Sequence, residues 1–273
     1  MSDRGDVVIV IAHPDDEAFV SGTICILVER GFRLSLICVT DGGGATGENP
    51  PAASVERLAA VRRRELAESA AALGIAEVVR LGFADVAEPA VGPHAWDQPG
   101  LIDLVRKAIE SHEPALLLTH GPRGGYGHPA HRLVHRCVMD AAEQAGFTPS
   151  LFSFCAQLPG AFFSWDFDQR ADVRIDVRGF DRRRAISLSC HRSQLDFFLQ
   201  PYPPRTVRKW LSAATGRALA FTEFGRKRVP IGGCERFFQL FPVEGLALQR
   251  LPANGRHFFA EYFQNDDRIQ FDS

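Results

Sequence analysis

The sequence predicts an α/β protein of Rossmann-like architecture, with a mostly parallel sheet, helices on both faces and a C-terminal strand and helix extension. Val7–Ala12 (VVIVIA) is a continuous, mostly β-branched apolar run, as a parallel strand buried on both faces requires. Comparable runs recur at Arg33–Thr40, Glu77–Leu81 and Ala115–Thr119. Helix-like patterns separate them, and alternation of this kind implies right-handed crossovers in a parallel sheet.

Taken in order, Pro14 restricts His13 to extended geometry, so His13 closes the first strand while Asp15, Asp16 and Glu17 turn over its carboxyl end. Ala18–Arg30 reads as a helix ended by Gly31, and Arg33–Thr40 as the second strand. The following loop contains Gly42-x-Gly44-x-x-Gly47, formally a dinucleotide fingerprint. That fingerprint must open directly onto a helix, whereas Asn49-Pro50-Pro51 intervenes here, so a mobile loop over a site is the better reading. Ser54 caps a helix running to about Leu73, closed by Gly74, and Glu77–Leu81 forms a third strand. Residues 84–100 carry no period. Leu101–Ser111 is an amphipathic helix, Ala115–Thr119 a fourth strand, and Arg132–Gly146 a further helix. Beyond it, Leu151–Gln157 and Val173–Val177 read as strands, Phe180–Leu199 as a helix, Gln200–Arg208 as a loop and Lys209–Ala220 as a short helix. The division expected is a core at 1–150 and an extension at 151–273 that packs on it and shapes the pocket, one catalytic unit in which 200–230 supplies a lid.

A chain of 273 residues, 45% of them hydrophobic, can bury a sizeable core. Lys and Arg number 31 against 33 Asp and Glu, a formal charge of −2 that leaves no footprint for nucleic acid or an anionic membrane. The six cysteines stand singly without a CxxC pair and read as reduced core residues. The N-terminus has no basic apolar leader, and no apolar stretch reaches membrane-spanning length. A soluble, cytoplasmic protein is expected, with room for a homo-oligomer.

The chemistry concentrates at two strand ends. Three adjacent acids, Asp15, Asp16 and Glu17, repel one another unless something positive sits among them; helix capping explains one such acid but not the set. The second cluster is His120-Gly-Pro-Arg-Gly-Gly-Tyr-Gly-His128-Pro-Ala-His131, with His135 one turn later, and holds four of the nine histidines. Two parallel strand ends can converge on one crevice. Zn²⁺ accepts imidazole nitrogen and carboxylate oxygen, and a catalytic site needs three protein ligands with one position open. His13 and one of Asp15 and Asp16 can come from the first cluster and one histidine from the second, and spacing alone leaves alternatives open. It also allows His131 and His135, four apart on a helix, to ligate together, and His128 to face a substrate.

AHPDDE at 12–17, TDG at 40–42, the RxxEL helix with ALGI at 62–75, LGFAD at 81–85 and GGYGHPAH at 124–131 resemble the PIG-L/LmbE family of zinc-dependent N-deacetylases. The likeness continues weakly through residues 172–194. The resemblance implies one zinc per chain, held by His13, Asp16 and His131, although the donors admit other divalent metals. It implies Asp15 as the general base that deprotonates the water on the metal, and His128, with Tyr126 as a weaker candidate, polarising the acyl oxygen or protonating the leaving amine. Arg62 and Asp85 match positions associated with sugar hydroxyls, though either also suits a surface ion pair; Glu17 reads as a supporting or capping residue. The implied reaction is hydrolysis of an N-acetyl group from an amino sugar or its conjugate, a small-molecule partner. The alternatives are an amidase acting on an amino-sugar thiol conjugate, a non-catalytic sugar-binding paralogue and, on the Gly42–Gly47 match alone, a nucleotide-binding oxidoreductase. Two departures from the family pattern stand out: Ala130 where HPDH has an acid, and Gly43-Gly44 where a loop acid is common, with Glu48 displaced.

Overall fold

The computed structural model describes residues 5–44, 55–85, 96–146, 148–158, 166–195, 234–235, 238–239, 241–252 and 257–271. The architecture is mixed α/β, built on one eight-stranded sheet. Its parallel part consists of β1 (Asp6–Ile11), β2 (Arg33–Thr40), β3 (Glu77–Phe83), β4 (Leu116–Thr119) and β5 (Ser150–Phe154), in the order β3-β2-β1-β4-β5. β1 is therefore where the winding reverses: the chain first builds outward through β2 and β3, then returns to place β4 on the other side. In open α/β sheets, ligands bind outside the carboxyl ends of the strands at such a reversal.

Three antiparallel strands extend the same sheet beyond β5: β8 (Val173–Asp176), β9 (Val243–Arg250) and β10 (Ile269–Phe271), in the order β9-β8-β10. The chain from Leu151 to Gln157, expected as one strand, divides into β5 and β6 (Ala156–Gln157), because Cys155 takes φ 65° and breaks the extended run. β6 pairs with β7 (Asp166–Arg170) in a separate ribbon.

Both faces of β1 are buried, and its alternation assigns the layers. Val7, Ile9 and Ile11 join one core cluster with Ile24 and Leu27 of α1 (Ser21–Glu29), Leu66 and Leu73 of α2 (Val55–Leu73), and Phe258 and Phe259 of α7 (Phe258–Tyr262). Val8, Val10 and Ala12 join the other with Val105 and Ile109 of α3 (Gln98–His112), and Val134 and Val138 of α5 (Pro129–Gln144). Each fully buried aliphatic side chain contributes about 1.5–3 kcal/mol. That anchorage lets the strand carry a charged cluster at its end.

The helix expected at Ala18–Arg30 begins later. Asp16–Val20 forms a 3₁₀ turn and α1 starts at Ser21, where Glu244 of β9 accepts from the backbone N–H groups of Gly22 and Thr23 at 2.8 Å each and from the Thr23 hydroxyl at 2.7 Å. Arg184 Nη2 lies 3.2 Å from the same carboxylate. The helix expected at Arg132–Gly146 is α5 and starts at Pro129, where proline suits the first turn. The helix expected at Phe180–Leu199 is α6 (Asp181–Cys190). It stops because His191 turns back to Glu17 and Ser193 turns to Glu65 of α2. The loop at residues 45–54, and the expected lid, loop and short helix within 200–230, lie outside the described residues. No helix among the described residues is long and apolar enough to cross a membrane.

Candidate metal centre

The carboxyl ends of β1 and β4 bring the two sequence clusters together. His13 and Asp16 come from the turn after β1. His131 comes from the first turn of α5, whose start is set by α4 (Gly124–Gly127), a single turn after β4. His13 Nδ1 lies 3.1 Å from His131 Nε2 and 3.4 Å from Asp16 Oδ2; His131 Nε2 lies 3.2 Å from Asp16 Oδ1. Four ligands at about 2.0–2.1 Å around a tetrahedral zinc stand about 3.3–3.4 Å apart, close to each of these separations, although Asp16 approaches His13 through Oδ2 and His131 through Oδ1.

The outer nitrogens fit as well. His131 Nδ1 faces the Gly124 carbonyl at 3.3 Å, and His13 Nε2 faces Asp85 Oδ1 at 3.6 Å. A metal-bound histidine ordinarily donates its other ring N–H to an oxygen in this way. Burial opposes the charge on Asp16, but His131, His120 and His13 hold its carboxyl well below the carboxylate range. Burial also disfavours a charged His13, yet Asp16 and Asp85 outweigh it and raise that imidazole to about 10, so a metal arriving here must displace a proton.

Two further histidines crowd the donors. Ligand atoms of His128 lie within 4.8 Å of those of His13 and His131, and those of His120 within the same span of Asp16 and His131. His120 Nε2 accepts the Ala12 N–H at 3.0 Å, and the ring stacks on His131 with centroids 4.0 Å apart. Burial and His131 push it down to about 3, so it stays neutral. His128 Nδ1 accepts from Ala130 N–H at 3.3 Å, leaving Nε2 to carry the proton of the neutral ring. Burial and His13 lower it to about 4. With Ala130 bringing no acid to hold a charge, burial and His13 both favour the neutral ring of His128. His135, which the spacing allows as a ligand, turns Nδ1 to the His120 carbonyl at 2.8 Å. Tyr126 lies in α4, but its side chain lies outside the described residues.

Asp15 adopts φ 131° and ψ −16°, a backbone conformation that costs a non-glycine residue about 1–3 kcal/mol and persists only where its surroundings over-determine it. Here the Asp15 carbonyl accepts from Ala18 N–H at 3.0 Å, and its own N–H donates to Glu17 Oε2 at 3.1 Å. Arg62 Nη2 donates to Asp15 Oδ2 at 3.1 Å. Burial raises the Asp15 carboxyl to about 6, with Arg62 pulling the other way.

Arg62 is no surface residue. It is 1% exposed, and it also donates to the carbonyls of Pro14 at 2.8 Å and Gly42 at 2.9 Å. Gly42 has φ +72°, and a Cβ there would stand 2.9 Å from Arg62 Nε, so the first glycine of the formal fingerprint makes room for an arginine. Asp85 Oδ2 lies 3.8 Å from Arg62 Nη1. Both Arg62 Nε and Asp85 Oδ2 are buried without a hydrogen-bond partner among the described residues. A narrow cavity lined by Phe19, His120, His131, Phe154 and Cys155 lies beside the donors.

The sequence singles out His120 only as a member of the second histidine cluster and gives His191 no role. His120 opens a motif that could have flagged it, whereas His191 sits alone at a helix end and carries no such signal.

The PIG-L family model, described as GlcNAc-PI de-N-acetylase, matches residues 8–142. A 1D-myo-inositol 2-acetamido-2-deoxy-alpha-D-glucopyranoside deacetylase of Nakamurella multipartita is 32% identical over 230 residues, covering 68% of this chain and 78% of that protein. A probable N-acetyl-alpha-D-glucosaminyl L-malate deacetylase 2 of Bacillus anthracis is 35% identical over 146 residues, covering 52% and 61%. The chain spans about half to three-fifths of the length of the first curated relatives that it matches. Among solved structures, the N,N'-diacetylchitobiose deacetylase of Pyrococcus horikoshii aligns at TM-score 0.57 and 21% identity, covering 89% of this chain and 83% of that one. The 4-carboxy-2-hydroxymuconate hydratase of Pseudomonas putida KT2440 aligns at 0.58 and 16%, covering 90% and 98%. At these identities the structural likeness carries the fold alone; it spans more than one chemistry.

Proposed function

This chain belongs to the PIG-L family, and from that membership we propose that it is a zinc-dependent hydrolase removing an N-acetyl group from an amino sugar or amino-sugar conjugate. The observation that carries the reading is the meeting of His13 Nδ1, Asp16 and His131 Nε2 within 3.1–3.4 Å at the reversal of the sheet. These three residues would hold the zinc, which supplies Lewis acidity: it makes water easier to deprotonate and polarises a carbonyl.

The remaining steps fall to the protein's own groups. Asp15 takes a proton from the attacking water, and a carboxyl raised to about 6 is matched to that task near neutral pH. As oxygen adds to the acyl carbon, negative charge builds on the acyl oxygen, and His128, neutral with its proton on Nε2, donates toward it. The C–N bond then breaks, the proton held by Asp15 passes to the departing nitrogen, and free amine and acetate leave. Asp85 orients His13 and, with its unpartnered oxygen and Arg62 Nε, offers two polar atoms for sugar hydroxyls. Phe19 and Phe154 offer the acyl methyl an apolar wall.

The decisive experiment combines metal analysis with Asp15→Asn. About one zinc per chain is expected in both proteins, with amine release from N-acetylglucosaminides lost by about a thousandfold or more in the variant. Protein that takes up no zinc on reconstitution, or an Asp15→Asn variant of undiminished activity, would falsify the reading.

A further inference from the structure

The proposed chemistry leaves Glu17 and His191 unused, although both are fully buried ionisable groups. Glu17 Oε2 accepts the Asp15 N–H at 3.1 Å; Oε1 accepts the Ser69 hydroxyl at 2.5 Å and faces His191 Nε2 in a close ion pair. Ser187 of α6 supports Ser69, the two hydroxyl oxygens standing 2.6 Å apart. His191 lies 174 residues from Glu17 in the chain and outside the segment that the family model matches. Its other nitrogen, Nδ1, is buried without a hydrogen-bond partner, so among the described residues the polar contacts of this ring run through Nε2.

A buried ion pair is a poor stabilising device, since a well-packed apolar pair of similar volume often does as well or better. Packing alone therefore does not account for this one. What the pair reaches is the amide of Asp15, the residue whose backbone stands at φ 131°. A strained turn survives only where several contacts over-determine it. Arg62 holds the carboxylate end of Asp15, and Glu17 holds the backbone end. We propose that His191 is a positioning residue: through Glu17 it fixes the Asp15 amide and so aims the carboxylate that serves as base. The proposal rests on Asp15 being that base.

The test compares zinc-loaded wild type with His191→Phe, His191→Gln and Ser69→Ala. It measures kcat and KM for amine release, zinc content, and the amide resonance of Asp15 by NMR in uniformly labelled protein. In His191→Phe, which removes the donor, kcat is expected to fall about 10–100-fold with KM and zinc content unchanged, and the Asp15 amide to shift. In His191→Gln, whose side-chain N–H can still donate to Glu17, most of the activity and the original amide position are expected to return. An unchanged kcat in His191→Phe, a change in KM alone, or equal losses in Phe and Gln overturn the proposal. If His191→Phe does not fold, Ser69→Ala decides: it weakens the support of Glu17 without removing a charge, and an Asp15 amide that does not move there overturns the link. The amide shift needs no turnover. A wild type that releases no amine therefore defeats the deacetylase reading, while the shift still tests the connection from His191 to Asp15.

Discussion

Replacing Arg62 by methionine separates two readings of the same residue. Its place in the sequence suggests a contact to sugar hydroxyls, whereas the structure has it gripping Asp15 and two loop carbonyls from a position 1% exposed. Methionine keeps much of the apolar stem but leaves Asp15 and Asp85 buried without their shared cation. Removing one member of a buried ion pair costs about 3–5 kcal/mol. For a chain of this size, 1 kcal/mol corresponds to roughly 2–4 °C in Tm, so a drop on the order of 10 °C is expected in calorimetry. Because Arg62 holds the Asp15 carboxyl down against burial, its loss raises that carboxyl further. A base must be ionised to act, so the acid limb of the kcat profile is expected to move to higher pH, with activity near pH 6 lost first. The assay is a pH series of kcat and KM on zinc-loaded protein at a temperature where the variant is folded. A raised KM with an unshifted acid limb and an unchanged Tm would refute the positioning account and leave Arg62 its substrate contact alone.

His131→Ala removes a donor whose two neighbours stand 3.1 and 3.2 Å away, and zinc affinity, measured by chelator competition, is expected to fall by at least about a hundredfold; unchanged affinity would point to His120 or His128 as the true ligand. The Glu17–His191 pair sets a window in stability. Burial opposes both charges, but mutual attraction raises His191 above its ordinary 6.5 and lowers Glu17 below its ordinary 4.5. A raised histidine contributes fully below 6.5 and its contribution fades as pH rises through the folded value; a lowered glutamate contributes fully above 4.5 and fades as pH falls through its own. Denaturant unfolding should therefore show the largest gap between wild type and His191→Phe between about pH 4.5 and 6.5, narrowing on either side. A gap that is constant across that range and beyond it would show the pair to be uncharged.

Much of this fold can be read from pattern because the parallel strands are short apolar runs with no other plausible home. Val7–Ala12 is apolar on both faces, and both faces proved buried. The meeting of the AHPDDE and GHPAH segments was equally legible, since each lies just past a strand end. Other features depend on partners far along the chain. Val243–Arg250 alternates too weakly to announce a strand, and Ile269–Phe271 is three residues long; both are defined by the neighbour they pair with. Nothing in the run of residues around Arg62 says that it turns inward, because an arginine on an amphipathic helix is ordinarily solvated; the carbonyls of Pro14 and Gly42 are what receive it. His128 illustrates the same limit. Whether it holds a charge depends on its burial and on the approach of His13, and that is visible only in three dimensions.

The reach of Glu244 back to the start of α1 bears on how the protein is made. The N–H groups of Gly22 and Thr23 are satisfied by a residue 222 and 221 positions later. Until the last quarter of the chain has left the ribosome, the helix that follows the acidic turn begins with open donors, and the turn itself lacks its backing. Contacts of such sequence separation form late and slow folding. A nascent chain that has completed all five parallel strands would therefore still lack the carboxylate that closes the start of α1. That closure would arrive in a single late step, when β9 docks, rather than growing strand by strand.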